Sequence, residues 1–131
     1  MSDLRNPTPY AAADLLARLA LAFIFVVAGY NKIGNFAGTQ GWMESMGVAG
    51  VLLYPVLLLE LGGGIALILG YQTRLVAALL AAFCVASAML FHSDLANDFN
   101  SFAKNIAMSG GFLLLVLHGP GRFSLDARRT Q

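Results

Sequence analysis

Charge is the scarcest property of this 131-residue sequence: eight basic and seven acidic side chains, 11% in all, stand against 58% hydrophobic residues. A soluble domain carries about 25% charged residues to keep its surface in water, so a water-soluble globule is excluded. A formal net charge of +1 gives no basic surface for nucleic acid, and no nucleic-acid partner is expected. Cysteine is nearly absent. Cys84 alone offers no internal disulfide, CxxC redox pair or iron–sulfur site. Histidine is equally sparse: His92 and His118 fall at opposite membrane faces, about 30 Å apart in depth, too far for one haem. No HExxH segment, serine–histidine–acid arrangement or phosphate loop occurs, so neither a metal site nor an intrinsic cofactor is expected. Stretches that alternate polar and apolar residues are missing too, which excludes barrel strands and leaves helices to satisfy the backbone in lipid.

What is present is a set of long apolar runs. A bilayer core takes about 20 apolar residues per helix, and four runs qualify, at about residues 12–32, 51–71, 75–92 and 99–118. The fourth must take Lys104 and Asn105 into the outer membrane to reach that length. The expected fold is all-α: one integral-membrane domain, a four-helix antiparallel bundle with a tail at 122–131. The first run has a weakly basic start, is interrupted by Arg18 and lacks a small-residue cleavage site, unlike a cleaved signal peptide. Four spans place both termini on one side, with Arg5, Arg74, Arg122, Arg128 and Arg129. Glu44, Asp94, Asp98, Lys32 and Lys104 fall on the other. Positive residues favour the cytoplasm, so both termini are expected there in a bacterial inner membrane. Tyr10, Tyr30, Trp42, Tyr54, Tyr71 and Phe123 fall near the expected interfaces. Between the first two spans, Phe36, Trp42, Met43 and Met46 recur at roughly helical spacing, which suggests a short amphipathic segment on the outer surface.

Ionisable residues inside a span are costly and are functional candidates by default. Glu60, near the middle of the second run, either is held ionised by a cation or is neutral and exchanges protons. Arg18 has two readings, snorkelling to the headgroups or pairing with Glu60. Arg18, Phe25 and Lys32 recur every seven residues with Asp14 and Gly29 on the same face, so that face points into the bundle unless Lys32 simply snorkels. His92, Lys104 and Asn105 gather at the outer third, toward which Glu60 leans. His92 can shuttle protons, since imidazole titrates near neutrality, or merely cap its helix. Asn105, Ser109 and Phe112 share a face suited to hydrogen bonds between helices. Gly62-Gly63-Gly64, Gly110-Gly111 and the stripe Ala78, Ala82, Ala86 read as small-residue packing surfaces.

These residues resemble the DoxX family of small bacterial inner-membrane proteins, from about Leu15 to Asp126. The resemblance is carried by Arg18 with Gly29 and Lys32, Gly38-Thr39-Gln40 to Gly47, and Leu59-Glu60-Leu61-Gly62-Gly63-Gly64. Phe91-His92, Lys104-Asn105 and Gly119-Pro120-Gly121-Arg122-Phe123-Ser124-Leu125-Asp126 complete it. Gly47-Val48-Ala49-Gly50 departs where many relatives have proline after the valine. The resemblance implies quinone-linked redox chemistry.

One expectation is therefore a membrane redox component that binds a quinone or similar aromatic molecule between helices. Glu60 would carry the proton together with His92. Lys32, Lys104 and Asn105 would meet the ring oxygens, and Trp42, Tyr30 or Phe91 would stack on the ring. The alternatives are a non-catalytic scaffold, a small-solute conduit, or a subunit that works beside a soluble redox partner. The basic tail would meet anionic lipid or a partner protein. Homo-oligomers and membrane lipids are further possible partners.

Overall fold

The computed structural model describes residues 8–92 and 94–129. Arg5 and the side chain of Arg129, counted above on the positive side, lie outside the described residues. Every regular element among those residues is helical: α1 (Thr8–Gly34), α2 (Phe36–Ser45), α3 (Gly50–Leu69), α4 (Thr73–Phe91), α5 (Leu95–His118) and α6 (Leu125–Arg129). α1, α3, α4 and α5 are long and apolar enough to cross a membrane.

The second span is not one uniform helix. It enters through a 3-10 turn (Gly50–Leu52), continues as α-helix (Leu53–Leu57), widens to a π turn (Leu58–Gly62) and returns to α-helix (Gly63–Leu69). Pro55 stands in the first turn of the α segment, where a missing N–H costs little. The span stops at Gly70, whose φ of 72° is the left-handed cap that only glycine adopts freely. In α5, Asp98 leaves helical geometry (φ −135°, ψ 31°) and kinks the helix before its apolar part begins.

α4 and α5 form the most extensive helix pair, and α1 packs on α3. The core between them joins Ala22, Phe25, Leu67, Ala77, Leu80, Ala81, Cys84, Phe112 and Leu115. Phe25 and Phe112 meet there with ring centroids 5.4 Å apart. Outside this core, Leu16, Phe23, Leu58, Leu75 and Leu117 are exposed. An apolar surface of that extent suits hydrocarbon and would aggregate in water. The six aromatics expected at the interfaces are all exposed as well.

Two packing expectations need correction. Ala78, Ala82 and Ala86 point out of the bundle, while Ala77, Ala81, Cys84 and Ala88, one turn-phase away, are buried. A run rich in alanine on all sides gives composition no means of choosing the inner face. Asn105 and Ser109 do not bond across helices: Asn105 Nδ2 donates to Ser101 O (3.0 Å) and Ser109 Oγ to Ile106 O (2.6 Å), within their own helix. Short polar side chains reach the preceding turn before they reach a neighbour.

After α5 the chain turns back across the ends of α3 and α4. Asp126 Oδ1 and Oδ2 accept the backbone N–H groups of Gln72 and Thr73, each at 2.8 Å. Those donors open α4 and have no partner within it. The Asp126 N–H in turn donates to Gly70 O at 2.9 Å.

Candidate functional site

Glu60 is 3% exposed and lies in the π turn of α3. Lys32, in the last turn of α1, reaches it with Nζ 2.9 Å from both carboxylate oxygens. A carboxylate at such depth needs a cation or a proton, and here the cation is Lys32. The pair joins α1 to α3. It also accounts for the face shared by Arg18, Phe25, Gly29 and Lys32, which points into the bundle.

At the same end, His92 closes α4 and its Nδ1 lies 2.5 Å from Asp98 Oδ2, at the kink of α5. Asp98 also accepts the Ser101 hydroxyl. Lys104 and Asn105 follow one to two turns along α5. Lys104 has neither an ion pair nor a hydrogen bond among the described residues.

All of these except Asp98 border one cavity of about 270 Å³. Lys32, Glu60, His92, Lys104 and Asn105 line it, with Thr39, Ser87 and Ser101 adding hydroxyls. Its apolar wall comes from Phe25, Phe83, Leu53 and Met108. α2 covers the opening: Met43 is buried beneath it, and Trp42 stacks on Phe91 with centroids 4.8 Å apart and planes 27° apart. Trp42 also stands 6.4 Å from the His92 ring. The segment expected to be amphipathic is thus helical from Phe36 to Ser45, and its Thr39, Trp42 and Met43 face a cavity. Phe36 instead packs on Tyr54 (5.1 Å), and Met46 lies beyond the helix end and is exposed.

One residue leaves the expected site, and Arg18 takes neither of the two arrangements expected for it. Tyr30 is 73% exposed on the outer face of α1 and does not border the cavity. Two positions from Lys32 on a helix, it points about 200° away, so one helix cannot bring both inward. Arg18 neither snorkels nor pairs with Glu60. It is fully buried at the opposite end of the bundle and donates to Leu67 O (2.7 Å) and Phe123 O. Its guanidinium meets the carbonyls that close α3, where the helix dipole favours a cation. The partners of Arg18 are backbone oxygens of other segments.

Sequence reading passed over Asp98, counted only as an outer charge, along with Thr39, Ser87 and Ser101. Asp98 stands six residues after His92, and that spacing has no helical meaning because a chain reversal lies between them. The π turn around Glu60 also carried no signal beyond the glycines that follow it.

The fold and the site define a multi-pass membrane protein with a polar, aromatic-roofed cavity at one end of a four-span helical assembly. The chain belongs to the DoxX family, whose model matches residues 13–93. It is 49% identical over 114 residues to inner membrane protein YqjF of Escherichia coli (strain K12), covering 86% of this chain and 88% of that protein. Inner membrane protein YphA of the same organism is 34% identical over 123 residues, 87% of this chain and 88% of its own length. CatD of Bacillus subtilis (strain 168), whose name carries a provisional oxidoreductase assignment, is 34% identical over 72 residues, 55% and 54% of the two chains. No solved structure matches the chain. With its four apolar helices and these relatives, the protein is a multi-pass inner-membrane protein.

Proposed function

We propose that this protein is a quinone-linked redox component that holds the ring of a quinone or similar aromatic molecule in the cavity beneath α2. The observation that carries this reading is the convergence of Lys32–Glu60, His92, Lys104 and Asn105 on one space roofed by Trp42 and Phe91. A bound quinone supplies chemistry in which electrons and protons move together. The chain's own residues bind and orient the ring and handle its protons.

The space suits such a ring. About 150 Å³ accommodates benzene, and 270 Å³ leaves room for ring substituents while excluding a long isoprenoid tail from the same chamber. Lys32 spends two of its three N–H donors on Glu60 and keeps one for a ring oxygen. Lys104 brings a second ammonium to the rim. The aromatic roof offers a stacking face, and Phe25 and Phe83 supply an apolar floor.

The orientation proposed with it puts both termini in the cytoplasm and the cavity toward the outer leaflet. Arg74, Arg122 and Arg128 cluster at the Arg18 end, as positive residues do on the cytoplasmic side. CatD's provisional oxidoreductase name adds support for redox work in the family.

Mass spectrometry of small molecules retained after mild detergent extraction tests the proposal, paired with titration of Trp42 fluorescence. Trp42 is the only tryptophan, so its emission reports on the cavity alone. A retained quinone, or saturable quenching by an added one, is the expected result. No retained aromatic and no saturable response overturn the proposal.

A non-catalytic scaffold is the second reading. It is favoured by the Lys32–Glu60 pair, whose charges satisfy each other without any ligand. Under that reading E60Q lowers thermal stability and leaves Trp42 indifferent to quinones. Under the first, E60Q abolishes the ligand response in a protein that still folds.

A further inference from the structure

We infer that Asp98 makes the cavity selective for the reduced, hydroxyl-bearing form of its aromatic ring by fixing the tautomer of His92. The inference rests on the ring-binding reading above and adds which form of the ring is bound.

The geometry comes first. His92 borders the cavity and Asp98 does not; the carboxylate sits behind the imidazole, with side chains 38% exposed for Asp98 and 21% for His92. Nδ1 and Oδ2 are 2.5 Å apart. An ionised carboxylate only accepts hydrogen bonds, so the proton in that contact belongs to Nδ1. In a neutral imidazole the other nitrogen is then bare. Nε2 is the nitrogen left for a cavity ligand, and it is an acceptor.

The neighbouring groups are of the opposite kind. Lys32 and Lys104 only donate. At its His92 side the cavity therefore presents an acceptor to a ligand that also meets lysine donors; the Glu60 carboxylate is already held by Lys32, and the lining hydroxyls and the Asn105 amide can either donate or accept. A phenolic hydroxyl matches both at once, giving its hydrogen to Nε2 and taking one from a lysine. A quinone carbonyl accepts from a lysine but sets its oxygen against the Nε2 lone pair. The reduced ring wins by about one hydrogen bond, roughly tenfold in affinity. The same arrangement can move a proton: the ring O–H bond breaks, an Nε2–H bond forms, the ring oxygen keeps the electron pair beside a lysine, and Asp98 stabilises the imidazolium. Asp98 is thus a positioning residue that acts through His92.

The test uses the full-length protein in lipid nanodiscs under anaerobic conditions, with duroquinol and duroquinone as probes and isothermal titration calorimetry as the readout. The wild type is expected to bind duroquinol about tenfold more tightly than duroquinone. D98A lets the imidazole take either tautomer, and the ratio should fall to about threefold or less. D98N keeps the side-chain size but presents an amide donor to Nδ1, which puts the proton on Nε2 and should reverse the preference. A purely structural Asp98 would weaken both probes equally. If the wild type binds the two forms equally or favours duroquinone, or if both variants keep the wild-type ratio, the inference fails while ring binding stands. If the wild type binds neither probe, ring binding and the inference fall together.

Discussion

Glu60 and Arg18 face the same difficulty, a charge surrounded by hydrocarbon, and meet it differently. Glu60 takes a lysine from the neighbouring helix, whereas Arg18 takes carbonyl oxygens at a helix end. Removing Lys32 strands a buried carboxylate, so K32M should cost about 3 kcal/mol. That is the low end for such pairs, because the Lys32 side chain keeps 28% of its exposure. The double variant K32M/E60L should recover most of the loss, which thermal unfolding in nanodiscs would show. For Arg18 the decisive property is the planar fork that spans two carbonyls from different segments. R18K retains the charge but loses one arm, and should lower stability by about 2 kcal/mol. Proteolysis of residues 119–129 should quicken in parallel. From sequence, Glu60 was readable as a candidate because a carboxylate amid apolar residues has few explanations. Arg18's partners were not, because backbone carbonyls freed by a distant helix end leave no mark in residue identity.

The π turn shows what an element adds to a residue. It holds one residue more than an α-helix of the same rise, so Leu58–Gly62 turns the flanking segments of α3 relative to each other. Deleting Leu58 should restore the α pitch and rotate Glu60 by about 100° relative to the segment that precedes it. The variant should still insert into the membrane, yet Trp42 should no longer respond to added quinone. Glycines within helices sort in the same concrete way. A Cβ at Gly64 would lie 2.7 Å from Val26 Cγ2, a stiff β-branched group, whereas nothing stands within 4 Å of Gly110. G64A should therefore destabilise by about 1–3 kcal/mol, and G110A should be neutral or gain about 0.5 kcal/mol. Thermal melts of the two variants side by side check the contrast. In sequence both glycines looked alike, since apolar length is written in composition while inward phase depends on which neighbour a helix meets. The helix roofing the cavity was visible from the spacing of its apolar residues, but not the space it covers.

At the scale of the molecule, polarity is divided by depth. One end gathers Lys32, Glu60, His92 and Lys104 around a cavity, with Asp98 bonded to His92; the other gathers Arg18, Asp126 and the exposed arginines around a closing strap. The proposed orientation follows from that division. A green fluorescent protein fused to the C-terminus should fluoresce, and an alkaline phosphatase fused there should be inactive; the reverse pair of results would invert the assignment. Four spans and the gathering of ionisable groups at one end were legible because hydrocarbon leaves few options for a charge. The strap was not, because Phe123 contributes a carbonyl rather than a side chain.

That strap bears on how the protein is made. Arg18 and the carbonyl of Phe123 are separated by 105 residues. At synthesis rates of about 5–20 residues per second, roughly 5 to 20 seconds pass between them. For the later part of that interval the first helix carries a cation that has Leu67 O to meet but not yet Phe123 O. Its second carbonyl partner arrives only with the segment that follows α5. Truncations short of Phe123 should therefore leave Arg18 with one carbonyl partner fewer and make the first helix more open to quality-control proteases.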